Sequence, residues 1–326
     1  MKPEEKCLRI GAAVIILAVL LRFAGSGLAS DITALLEDPK VSSMLLYAGT
    51  GRVYSAKNPD VPSQEVSETL PEPDETPVQP VFSPEDAMLV SVKNYPGYDI
   101  DIPAMLEQPL TWDLTQTAPA VLIIHSHTCE SYENTEGYDA SDPYRTRDSN
   151  YNMISIGQHL AKCLQERGIS VIHDTTVHDF PSYNDAYTLS RETVKKYLAE
   201  YPSISLVLDI HRDAYQDANG NQASETITVD GKEAARLMIV AGTNAGGYTH
   251  TAWRENLSVA VKLHTVLEKK YPGLCRDLTM RSYYFNQDLS PGALLVEVGT
   301  AGDTRQNALY AAELLADGIA QLSCGV

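Results

Sequence analysis

Three short runs of this sequence place ionisable side chains at the ends of apolar segments. AVLIIH (120–125) leads into Ser126-His127-Thr128-Cys129-Glu130-Ser131; ISLVLDI (204–210) leads into His211-Arg212-Asp213; and ALLVEV (293–298) carries Glu297 within it. Two or three imidazoles with two carboxylates are the ingredients of a catalytic zinc site. Such a site has three nitrogen or oxygen ligands, an open position for water, and a carboxylate to take that water's proton. Glu130 follows His127 by three residues, close enough in a turn for both to reach one ion. His125 and His127 are two apart, so on a continuing strand both would point to the same side, and spacing leaves open which of them binds. Asp209 and His211 share a strand face, which makes Asp209 a candidate acceptor bracing the His211 ring. Glu297 inside an apolar strand is costly by several kcal/mol unless it has a partner, and a metal centre is a natural one. Cys129 beside His127 offers a thiol nucleophile instead, but the glutamates would then have no task.

These residues need a scaffold, and the pattern around them supplies it. Strands are expected at 120–125, 169–173, 204–210 and 293–298. Thr226–Val229 and Ala235–Val240 read as strands joined at an Asp230-Gly231 turn. Between them, apolar residues at helical spacing predict helices over 150–167, 185–199, 255–270 and 304–322. Strands alternating with helices imply an α/β fold: a three-layer domain with a largely parallel sheet flanked by helices. In such sheets, sites form beyond the carboxyl ends of the strands.

Other function classes fit poorly. The 326 residues hold 25 Lys and Arg against 43 Asp and Glu, a net charge of −18, so nucleic acid is not an expected partner. Five cysteines without a C-x-x-C pair give neither a disulfide framework nor a cysteine zinc cluster. His211-Arg212-Asp213 imitates a kinase catalytic loop, but Ala218 stands at the asparagine position. The glycines after Val240 lack dinucleotide-binding spacing.

Ahead of the domain, Lys2, Lys6 and Arg9 precede the apolar run IGAAVIILAVLL, which marks 1–30 as an export segment or membrane anchor. Residues 31–53 are a short membrane-proximal segment. Residues 54–86, acidic and rich in proline, read as a disordered linker, and 87–326 as the catalytic domain.

VLIIHSHTCESY (121–132), SYNDAYTLSRETV (182–194), LVLDIHRDA (206–214), WRENLSVAVKL (253–263), YPGLCRDL (271–278) and FNQDLSPGALLVEVGT (285–300) together resemble the stage II sporulation protein P family. The resemblance implies a fold similar to the zinc N-acetylmuramoyl-L-alanine amidases, with Zn2+ held by His, Glu and His and a further catalytic Glu. On this chain those places fall to His127 (alternate His125), Glu130, His211 and Glu297, with Arg212 expected to aid the oxyanion. The usual H-T-H wording is changed here only at Ser126. The resemblance also implies a single-pass protein of the cytoplasmic membrane acting on peptidoglycan between mother cell and forespore. Its activity would cut the muramic acid–L-alanine amide and peptide cross-links during engulfment, beside sporulation proteins D and M. Two other readings stand beside it: a non-catalytic peptidoglycan-binding scaffold, and a zinc carboxypeptidase or endopeptidase confined to peptide bonds.

Overall fold

The computed structural model describes residues 80–110, 112–133 and 144–324. The expected export segment (1–30), the segment 31–53 and residues 54–79 of the linker lie outside the described residues. No helix among the described residues is long and apolar enough to cross a membrane.

Seven strands form one sheet: β1 (Val92–Asn94), β2 (Val121–Ile124), β3 (Val171–His173), β4 (Leu206–Asp213), β7 (Leu237–Gly242), β8 (Leu278–Arg281) and β9 (Ala293–Thr300), in the order β1-β8-β7-β9-β4-β2-β3. All neighbours pair in parallel except β7 and β9. The expected largely parallel sheet is present, with one antiparallel seam dividing it into two parallel halves. A separate hairpin joins β5 (Thr226–Val229) to β6 (Lys232–Ala235).

Alternation along the strands sorts the two faces. Leu206, Leu208 and Ile210 of β4 and Leu294, Val296 and Val298 of β9 enter the main core. That core is closed by α1 (Ile102–Glu107), α2 (Met153–Glu166), α4 (Trp253–Lys270) and α5 (Arg305–Cys324). Helix α2 starts where the Asn152 side chain accepts a hydrogen bond from the Ile154 amide. It stops at Gly168, whose φ of +80° suits a residue without Cβ. The opposite face is covered only in part. α3 (Ala186–Glu200) brings Val194 onto Leu122, Ile124 and Val207. Beyond α3, Met238, Val240 and Leu295 form a small cluster of their own with Phe285. The layers are therefore three but unequal.

Two expected boundaries move. The hairpin partner of Thr226–Val229 is Lys232–Ala235, while Leu237–Gly242 belongs to the main sheet. Arg236 separates them: its guanidinium donates to the carbonyls of Gly273 and Cys275 and pairs with Glu225. The linker's last residues belong to the folded domain. Pro84–Leu89 form a 3-10 turn, Phe82 packs on the core, and buried Asp86 pairs with Lys269 at 2.9 Å. An acidic residue next to proline reads as linker, but this carboxylate has a cation waiting for it.

Candidate metal centre and active cleft

The chain after β2 turns instead of continuing as a strand, and that turn separates the two histidines. His125 faces α2. Its Nδ1 lies 2.9 Å from the Ile210 carbonyl and its Nε2 2.9 Å from His173 Nε2. A Cβ on Gly157 of α2 would overlap both rings, so glycine is what admits the pair. Burial lowers the His125 pKa to about 3 and that of His173 to about 4. The expectation that 125 and 127 share a side fails with the strand, and His125 is not one of the residues whose ligand atoms converge.

His127 is on the other side, with Glu130 and His211. One ligand atom from each of the three lies within 4.8 Å of the others. His127 Nδ1 is 3.4 Å from Glu130 Oε1, and His211 Nδ1 is 3.5 Å from Glu130 Oε2. Burial would raise the Glu130 carboxyl, but His127, His211 and the Arg212 charge outweigh it and hold it well below the usual range. Burial would lower His211; Asp209 and Glu130 carry it well above the ordinary imidazole value instead. A cation among these atoms would take over the role of those protons.

Asp209 Oδ1 sits 2.8 Å from His211 Nε2, although His211 Nε2 lacks a well-aligned hydrogen bond. Asp209 also accepts from the amide and hydroxyl of Ser126, at 2.8 and 2.6 Å. Ser126 thus fixes the carboxylate that orients His211.

Glu297 is paired in register with His211 across β4 and β9. Its Oε2 is buried without a hydrogen-bond partner, and burial, reinforced by Glu130 and Asp213 against the pull of His211, raises its pKa to about 8. Such an orphaned oxygen beside two imidazoles and a carboxylate fits a cation site whose last partner is solvent or substrate.

Arg212 lines the cleft, and its side chain is engaged there. Its Nε donates to the Ser131 carbonyl, one terminal nitrogen donates to the Tyr144 carbonyl, and the other lies 3.7 Å from Glu130. It braces the loop that carries Glu130. Cys129 is buried and is not among the residues lining the cleft; burial, then the Asp179 carboxylate, pushes its thiol up to about 12, which disfavours the nucleophilic thiolate.

His127, Glu130, His211, Arg212 and Glu297 line a cleft of about 660 Å³, to which Met238, Val240 and Leu295 contribute an apolar patch. One wall is aromatic and was not legible as such. Tyr183 stacks on His127 at 4.3 Å and places its hydroxyl 3.3 Å from His127 Nδ1, while Tyr187 packs edge-on to His127. Both belong to SYNDAY (182–187), where small and polar residues gave no period to read. Arg145, bound to Asp179 at 2.7 Å, lies over the Tyr183 ring.

Solved structures similar in backbone include the N-acetylmuramoyl-L-alanine amidase AmiC2 of Nostoc punctiforme (14% identity, TM-score 0.34, 62% of this chain and 94% of that one). Another is the apo N-acetylmuramyl-L-alanine amidase Ami1 from Mycobacterium abscessus (12% identity, TM-score 0.36, 63% and 99%). In sequence, the chain is 30% identical over 208 residues to stage II sporulation protein P of Bacillus subtilis (strain 168), across 60% of this chain. It spans about half the length of that curated relative, 49%. The family model for stage II sporulation protein P matches residues 48–320, and the chain belongs to that family.

Proposed function

We propose that the chain is a zinc-dependent peptidoglycan hydrolase that cuts the amide between N-acetylmuramic acid and the L-alanine of the stem peptide. The observation that carries this reading is the convergence of His127, Glu130 and His211 beside the unpartnered Glu297 oxygen, in a chain of a sporulation family. Three protein ligands leave a position open, which suits catalysis better than a closed structural site.

His127, Glu130 and His211 would hold the ion, with Asp209 orienting His211. Bound zinc supplies Lewis acidity, lowering the pKa of water from about 16 toward about 7 and polarising the scissile carbonyl. Glu297 does the proton work. Held protonated by burial, it ionises once positive charge sits at the neighbouring cluster. It then takes the proton of the attacking water and returns it to the departing amine nitrogen as the carbon–nitrogen bond breaks. Cleavage of peptide cross-links, attachment to the membrane through residues 1–30, action between mother cell and forespore, and work beside sporulation proteins D and M belong to the same reading.

The test is digestion of muropeptide chains by the full-length protein with and without chelator, with products identified by mass spectrometry. Peptide-free glycan that disappears with chelator or in Glu297→Gln supports the amidase reading. Undiminished release in Glu297→Gln or His211→Ala overturns it. Products cut only within the stem peptide would assign a peptidase instead.

A further inference from the structure

The cleft wall holds three arginines, and two of them are engaged. Arg145 is paired with Asp179, and Arg212 with backbone carbonyls and Glu130. Arg281, at the end of β8, has no carboxylate within ion-pair distance among the described residues, in a chain of net charge −18. Its guanidinium lies 4.6 Å over the ring of exposed Tyr95. That contact limits the rotamers of an otherwise free cation and leaves its edge donors available.

Register locates it. Glu297 is opposite Met238 across the antiparallel seam, and Gly242 is opposite Arg281 on the next strand. Met238, Val240, Gly242, Glu297 and Arg281 therefore share the cleft face. Two strand spacings give about 10 Å and four residues along β7 about 13 Å, so the Cα atoms of Glu297 and Arg281 stand roughly 16 Å apart. An extended peptide covers that distance in about four or five residues.

We infer that Arg281, steadied by Tyr95, binds a free carboxylate of the substrate's peptide about four or five residues from the scissile amide. Arg281 would then act as a specificity-determining residue that measures peptide length and charge. This inference rests on the amide-cleaving reading above, because it starts the count at the cluster.

The test is binding, not turnover. Zinc-loaded full-length protein carrying Glu297→Gln is titrated with muramoyl peptides of two to five residues, each as the free acid and as the C-terminal amide. The free acid of four or five residues is expected to bind about tenfold more tightly than its amide, the difference made by one charge-assisted pair. Adding Arg281→Gln should erase that preference, Arg281→Lys should keep part of it, and dipeptides should be indifferent to both. An acid preference that survives Arg281→Gln, or none at any length, overturns the inference while leaving the amidase reading intact. No binding of any muramoyl peptide overturns the amidase reading itself.

Discussion

Glu297 and His211 occupy one rung of the sheet, paired in register across two parallel strands. The proposed base is thereby fixed relative to a proposed ligand by backbone hydrogen bonds, and no mobile loop intervenes. Each expectation below depends on that rung or on what surrounds it.

Metal content separates the histidines. Plasma emission analysis should find about one zinc per chain in the parent and in His125→Gln, and little in His127→Ala, Glu130→Ala or His211→Ala. His125→Gln should cost stability, roughly 1–3 kcal/mol by denaturant titration, because it disturbs the buried contacts to Ile210 and His173. Loss of zinc in His125→Gln with retention in His127→Ala would reverse the assignment.

Glu297→Gln keeps shape and removes the proton acceptor. Zinc content should stay at the parent level while stem-peptide release falls by about 10²-fold or more. Equal activity in the two proteins would remove Glu297 from the mechanism.

Arg212→Met should act on stability before it acts on chemistry. Removing the guanidinium leaves the carbonyls of Ser131 and Tyr144 and one side of Glu130 without it, a loss of about 3 kcal/mol. A variant as stable as the parent but catalytically dead would favour the oxyanion role instead.

Gly157→Ala should destabilise the protein, although alanine is the better helix former by about 1 kcal/mol. The added carbon would stand 2.6 Å from His173 Nε2 and closer still to His125 Nε2. A rise in melting temperature would show that the histidine pair can yield.

The same pair gives a pH dependence with a definite sign. Both imidazoles are held neutral when folded, with pKa values of about 3 and about 4, against about 6.5 unfolded. Below about 6.5 the unfolded chain takes up protons that the folded chain refuses, so this stability is complete above that value and drains away toward pH 4. His211, raised by Asp209, contributes with the opposite sign. The comparison is therefore parent against His173→Gln, both treated with chelator, by urea denaturation at pH 7.5 and 5. The parent should lose more stability between the two; parallel curves would refute the account.

The strands bearing His211 and Glu297 were readable because each is a mostly apolar run interrupted by a single carboxylate, and α2 because its apolar residues recur at helical spacing. β1 and β8 were not. VKN and LTMR are short and mixed, and they become strands only by pairing with each other and with β7. The antiparallel seam between β7 and β9 depends on partners far apart in sequence, which no local pattern reports. The choice between His125 and His127 turned on where β2 ends, a single residue that spacing cannot locate. The partners of Arg212 were hidden for a related reason: its acceptors are backbone carbonyls of a distant loop, and carbonyls have no letter in a sequence.

Arg212 also has a meaning for how the site is filled. Its backbone amide donates to Glu130 at 3.3 Å and its side chain tethers the flanking loop, so the carboxylate is aimed before any ion arrives. Emptying such a centre takes away its occupant and leaves the mould, so a stripped molecule should be recharged by simple addition.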